Sequence, residues 1–180
     1  MTHSRVTRRD GHVLTVSFQF EASRVTRARA LYDRAKELDE TPSTYSEAEH
    51  LYLEAIRLDP GLAIAYTNIG NVRYRLRDIL GAERWYREAL ERDPKQPEAT
   101  YNLGTTALEE QNYSSAIKLL KRAIALDSAF ADAWFTLADA TEKSGNVRKA
   151  KPYWQRFLEL SPTGEWSDLA REHLAAMGSK

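Results

Sequence analysis

Cysteine is absent from this 180-residue chain, which excludes disulfide staples, thiolate metal sites and a cysteine nucleophile. Long apolar runs are absent too. The best candidate near the front, VLTVSF, is broken by Thr and Ser and followed by QFE. It is too short and too polar for a secretory signal, and nothing later approaches the roughly eighteen apolar residues of a membrane span. A soluble, cytoplasmic protein with no membrane partner is expected. An excess of charge is also missing, with 26 Lys and Arg against 26 Asp and Glu, so bulk charge selects no class of partner. Residues 1–36 are locally basic, with Arg5, Arg8, Arg9, Arg24, Arg27, Arg29, Arg34 and Lys36 against Asp10, Glu21 and Asp33. This basic end reads as a solvated helix face, and the chain alone is not expected to bind nucleic acid.

The usual marks of catalysis are equally scarce. His3, His12, His50 and His173 are scattered, none with a ligand or triad partner at useful spacing. There is no H-E-x-x-H, no phosphate-cradling glycine loop and no G-x-S-x-G. Asp132, Asp139 and Glu142 share a helix face, but three carboxylates without a nucleophile or base partner read as groove-lining or solvated charges. No catalytic residue, metal or cofactor is expected.

What the chain does have is a period. AIAYTNIGNVRYRLRDILGAERWYREALERDP (63–94), PEATYNLGTTALEEQNYSSAIKLLKRAIALDS (97–128) and ADAWFTLADATEKSGNVRKAKPYWQRFLELSP (131–162) stack in register. Gly70, Gly104 and Ala138 form one column, Ala82, Ala116 and Ala150 a second, and Tyr86, Leu120 and Trp154 a third. Pro60, Pro94, Ser128 and Pro162 close successive blocks at an interval of 34. A fixed period of this size means stacked helical pairs. The small residues let two helices approach, the aromatics fill the wedge to the neighbour, and proline ends the second helix. Asn146 is placed to cap a helix start.

These columns resemble the tetratricopeptide repeat family over roughly residues 28–162. The block from Ala63 carries nearly the whole family signature in Tyr66, Ile69-Gly70, Tyr74, Ala82, Tyr86, Ala89 and Pro94. A further repeat, ALYDRAKELDETPSTYSEAEHLYLEAIRLDP, fits through Tyr45, Ala48, Tyr52, Ala55 and Pro60 if one extra residue is allowed near DETPST. The expected fold is therefore an all-α solenoid, a right-handed superhelix. Four repeats occupy residues 21–162, at about 21–60, 61–94, 95–128 and 129–162. An extension (1–20) precedes them, and a capping helix and tail (163–180) follow. In the last repeat Phe157 replaces the Ala of the other three, and Pro152 should kink its helix or delay its start. In TGEWSDLAREHLAAM, Trp166, Leu169, Ala170, His173, Leu174 and Met177 stand at helical spacing, with Trp166 expected as a core plug.

The resemblance implies an interaction scaffold whose concave channel holds an extended peptide or a helix of another protein. Carried over by position, Tyr32, Thr67, Tyr101 and Phe135 make one row, and Lys36, Asn71, Thr105 and Asp139 a second. Arg75, Leu108 and Glu142 lie further along, and Asn102, like Asn68, divides its weight between binding and fold. Some relatives clamp the C-terminal carboxylate of chaperone peptides with Lys and Asn residues. The corresponding positions here are Thr67, Asn71, Asn102, Asp132 and Thr136. The two Asn match, the basic residues are missing, and Asp132 would repel a carboxylate, so that clamp is not expected.

HVLTVSFQF remains. Leu14, Val16, Phe18 and Phe20 alternate with polar or smaller residues, the period of a β-strand. Asp10-Gly11 is a two-residue hairpin signal ahead of it. A short N-terminal β-hairpin is expected, its apolar face covered in one of three ways. It packs on the helix beginning near Ala22, pairs with a second copy to give a homodimer, or belongs to the tail of a further domain. SFQFEAS before the repeats and LSPTGEW after them resemble bacterial regulators with a MerR-like DNA-binding domain ahead of tetratricopeptide repeats. That resemblance implies the sensory or oligomerising part of a transcription regulator as the alternative function. It also raises whether Met1 marks a truncation or a relative without the domain. No DNA-reading residue transfers.

Overall fold

The structure is a computed structural model that describes residues 12–178, with side chains from residue 21 onward. Two compact units divide the chain, Met1–Ala65 and Tyr66–Lys180. Among the described residues every regular element is helical and there is no strand.

In the first unit, α1 (His12–Leu38) is followed by a 3-10 turn (Pro42–Thr44) and α2 (Tyr45–Leu58). The turn takes up the extra residue that DETPST demanded. The Thr44 hydroxyl donates to the Leu38 carbonyl at 2.6 Å, closing the end of α1 onto the turn. Tyr32 and Tyr52 meet at 5.7 Å between ring centroids, between the buried alanines 28, 35, 48 and 55. The Tyr52 hydroxyl donates to Asp39 at 2.5 Å. Arg24 reaches the last carbonyl of α2, at Leu58, at 2.9 Å.

The hairpin expectation is corrected here. Leu14, Val16, Phe18 and Phe20 lie on helical backbone within α1, while the Asp10-Gly11 turn and the strand before it fall outside the described residues. A nine-residue alternation fits either conformation, and the backbone decides between them. A strand needs a partner for its N–H and C=O groups, whereas a helix already held by packing extends upstream without a new nucleus and closes its bonds within itself. Among the described residues there is therefore no strand edge on which a homodimer would be built.

Three helical pairs and a final helix follow, all in the second unit except the first turn of α3, where the boundary falls. They are α3 (Ala63–Arg75) with α4 (Ile79–Arg92), α5 (Pro97–Glu109) with α6 (Tyr113–Leu126), α7 (Ala131–Lys143) with α8 (Val147–Leu160), and α9 (Glu165–Gly178). The second helices stop at the same place in the period, at Leu58, Arg92, Leu126 and Leu160. Proline is only half of the reason. The N–H of the next residue returns to the carbonyl of Ala55, Ala89, Ala123 or Phe157, and in the first three cases that residue is extended. In the first three cases it is Asp, whose carboxylate then accepts from the backbone N–H of Gly61, Lys95 or Ala129. This Asx turn forms even where Ser128 replaces Pro. The second helices begin on caps at Asp78 and Asn112, accepting from the N–H of Gly81 at 3.0 Å and Ser115 at 3.2 Å. Asn146 holds the corresponding position, but its amide turns back to Ser144 and makes no side-chain cap.

Within each pair a large side chain of the second helix sits against the small residue of the first. A Cβ added at Gly70 would meet the Tyr86 ring at 2.4 Å, and one at Gly104 would meet Leu120 at 2.9 Å. In the last pair Ala138 shares a buried cluster with Ala150, Trp154, Phe157 and Ala170. Phe157 is buried, so the Ala-to-Phe change is filled by packing. Pro152 sits inside α8, which nevertheless starts at Val147. The residue is exposed, so the bond its ring forgoes is lost on the solvent side.

Helix α9 covers that cluster with Ala170, Leu174 and Met177. Trp166 is a second correction. It is 64% exposed, because α9 turns Ser167 and Ala170 inward instead. Gly70→Ala is expected to lower stability by about 1–2 kcal/mol, the overpacking of a hydroxyl-anchored ring outweighing the gain in helix propensity. Gly104→Ala should cost less, since a leucine can change rotamer. Paired urea titrations check this, and equal losses would contradict it.

Candidate functional site

Three recesses of the second unit share their walls. One of about 370 Å³ is lined by Asn71, Tyr74, Arg75, Tyr86, Glu98, Tyr101, Asn102, Thr105 and Phe130. A second, about 360 Å³, takes Tyr101, Asp132, Phe135, Thr136, Phe157 and Trp166 together with the 161–164 turn. A third uses Tyr74, Thr105, Leu108, Glu109, Thr136, Asp139 and Lys143. Tyr101 belongs to the first two, Tyr74 and Thr105 to the first and third, and Thr136 to the last two. The recesses are therefore one surface, carried by the first helices α3, α5 and α7 and closed at one end by α9.

Its centre is a chain of amides. The Tyr86 hydroxyl donates to the Asn71 side-chain carbonyl at 3.0 Å, and the Asn102 amide donates to the same oxygen at 2.7 Å. Asn71 thus fixes the neighbouring helix as well as its own pair. Beside it Tyr101 stacks tilted on Phe130 at 4.8 Å, and its hydroxyl lies 3.4 Å from that of Thr136. The Thr105 hydroxyl donates to the Asn102 carbonyl at 2.8 Å. The expected residues Asn71, Arg75, Tyr101, Asn102, Thr105, Phe135 and Asp139 all fall on this surface, as does Leu108.

Others do not. Thr67 is 1% exposed and donates to Gln96 at 2.8 Å, so it ties α3 to the turn before α5. Tyr32 is 6% exposed within the first unit, while Lys36 is an exposed residue of α1. Glu142 is turned to structural use. Its carboxylate accepts from the Trp154 indole N–H at 3.1 Å and lies 2.9 Å from His173 Nδ1, with the His173 ring stacked on Trp154 at 4.7 Å. This triad anchors α9 to α7 and α8.

Sequence reasoning missed Glu109. It shares the period with Arg75 and Lys143, one residue off the row drawn through Leu108 and Glu142. The Tyr74 hydroxyl donates to its carboxylate. Burial first, and then this bond and the nearby negative charge, push the Tyr74 phenol up to about 12. Burial likewise raises Tyr86 and Tyr101, the latter with help from the Asp132 charge. The surface charges are mixed: Arg75 and Glu98 in the first recess, Asp132 in the second, and Asp139 paired with Lys143 at 2.7 Å in the third.

Among the described residues no group of His, Cys, Asp or Glu is placed to hold a metal ion, and no helix is long and apolar enough to cross a membrane. The face offers amide, hydroxyl and aromatic groups, which suit recognition of an extended backbone.

Models of the tetratricopeptide repeat match residues 44–97, 85–118 and 107–169, together well over half of the chain. No curated protein matches at the level of sequence. Solved structures match in fold. MamA from Desulfovibrio magneticus RS-1 (residue 41 to the end) is 18% identical, with 85% of this chain and 94% of that one covered and a TM-score of 0.67. YrrB, described as a tetratricopeptide repeat protein with an unusual peptide-binding site, is 22% identical over 85% and 76%, with a TM-score of 0.64. The first repeat domain of Spaghetti (RPAP3), bound to the HSP90 peptide SRMEEVD, is 20% identical over 64% and 93%, with a TM-score of 0.60.

Two outcomes test the geometry. Glu142→Ala leaves the fully buried Trp154 indole without its acceptor. It should cost about 1–3 kcal/mol and speed amide exchange across residues 165–178 relative to α5, whereas uniform exchange would contradict the anchor. A phenol raised above its ordinary value of 10.0 contributes stability that is complete below pH 10 and lost as pH climbs through the folded value. The urea midpoint should therefore fall between pH 10 and 12, less steeply in Tyr74→Phe. Identical pH profiles would contradict the assignment.

Proposed function

The chain belongs to the tetratricopeptide repeat family, and on that premise we propose that it is a non-catalytic interaction scaffold. Its recessed face on α3, α5 and α7 receives an extended segment of another protein. The observation that carries this is the sharing of Tyr101, Thr105, Tyr74 and Thr136 among adjoining recesses, which makes a track rather than separate dimples. Tyr101 stands at its middle, a large amphipathic ring able to contribute contact area and a hydroxyl together. The amide chain through Asn71 and Asn102 keeps the track at fixed width, so little ordering is left for the moment of binding.

Two neighbours in fold support a peptide ligand: YrrB is described with a peptide-binding site, and the Spaghetti domain is bound to the HSP90 peptide SRMEEVD. That peptide carries two Glu and an Asp against one Arg. This chain sets Asp132 and Thr136 where a clamp needs cations, and its Thr67 is buried. The ligand is therefore a different sequence.

Selection of a random octapeptide library on the full chain, followed by affinity measurement, tests the reading. Selected peptides should bind Tyr101→Ala at least about tenfold more weakly, as expected when a central aromatic anchor is truncated. They should also lose affinity to Arg75→Glu, an exposed position, with circular dichroism of the variant checked against wild type. Equal binding to wild type and both variants would refute the proposal.

A further inference from the structure

The second recess differs from the rest of the track. Its walls are the rings of Tyr101, Phe135, Phe157 and Trp166, and Asp132 is the one charged side chain among its lining residues. Phe135 is gripped edge-on by Trp154 at 4.9 Å and Phe157 at 5.1 Å. Trp166 meets Phe135 at 5.1 Å and 76° and leaves 64% of its surface to solvent. A tryptophan held by one edge contact, on a helix that buries its neighbours Ser167 and Ala170, contributes little to the core. Its open indole is the ring best suited to a cation.

The rim of this recess is fixed in advance. The Ser167 hydroxyl, itself fully buried, donates to the Ser161 carbonyl at 2.8 Å, and Arg171 donates to the Pro162 carbonyl. The Ser167 N–H returns to Gly164 at 2.9 Å. Gly164, at φ 111°, has open space where a side chain would stand. The Arg171 charge is already engaged by Asp168 at 2.7 Å, so the Asp132 carboxylate meets no cation of the chain among the lining residues.

We propose that this recess is a specificity subsite for a lysine or arginine side chain of the bound partner. The aliphatic stem lies across Trp166 and Phe135 and the charge rests beside Asp132. A long basic side chain matches both halves of the recess, an apolar slot and one carboxylate, whereas an acidic residue would face Asp132 and a short apolar one would leave it unanswered. The inference rests on the reading of the track as a peptide site.

The octapeptides selected on the full chain supply the probe. They should share Lys or Arg at one position. Replacing that residue by norleucine should weaken binding to wild type about tenfold and to the Asp132→Asn, Trp166→Ala double variant less than twofold, with circular dichroism of the double variant unchanged. Selected peptides without a shared basic position, or an equal norleucine effect on both proteins, would overturn the subsite and leave the track standing. Failure to select any peptide would overturn both.

Discussion

In the repeats of the second unit a large side chain of the second helix is pressed against a residue of the first that has almost no side chain. Tyr86 lies over Gly70, and Leu120 over Gly104. The surface described here depends on that approach. Because Gly70 yields its space, the Tyr86 ring crosses the helix pair far enough for its hydroxyl to reach Asn71. Asn71, held from below, offers the same oxygen to Asn102 of the next pair. The packing of one repeat thereby sets the spacing of the next. Dispersion and burial supply the energy, and the amide bonds supply the alignment.

The same packing leaves one face of the first helices outside the core. The second helices turn their alanine columns inward, and all but the last end in Asp-centred turns, which settle their own backbone groups. The first helices are left with a mixture of amides, hydroxyls and rings that internal bonds satisfy only in part. At the far end the tryptophan of the final pair takes over the part played by Tyr86. Trp154 is fully buried, and its indole N–H is met by Glu142, which in turn binds His173. The closing helix is thus attached through a polar triad, while Trp166 on the same helix stays outside and forms one wall of the surface.

Much of this was legible in the sequence. A period of 34, with small, aromatic and proline columns in register, gives the helical pairs and their stops. Tyr101, Phe135, Asn71 and Thr105 follow from the family resemblance carried over by position, since a side chain's direction on a helix is fixed by its place in the period. What escaped depends on partners distant in sequence. Thr67 reads as a channel residue until Gln96, 29 residues on, draws it inside. Glu142 reads as an exposed carboxylate until α9 folds back with His173. Glu109 was hidden by a row drawn one residue early. At the front, nine alternating residues could not distinguish a strand from a helix, and the choice went to the conformation that needs no partner.

The proposed function requires the Tyr101-centred face to be the working surface of the chain. Backbone amide chemical-shift mapping of the full protein with a bound selected octapeptide tests it most directly. The largest changes should trace Asn71, Tyr101, Thr105, Phe135 and Thr136 along α3, α5 and α7. Changes confined instead to the exposed leucines 76 and 80, beside the α3–α4 turn, would contradict it.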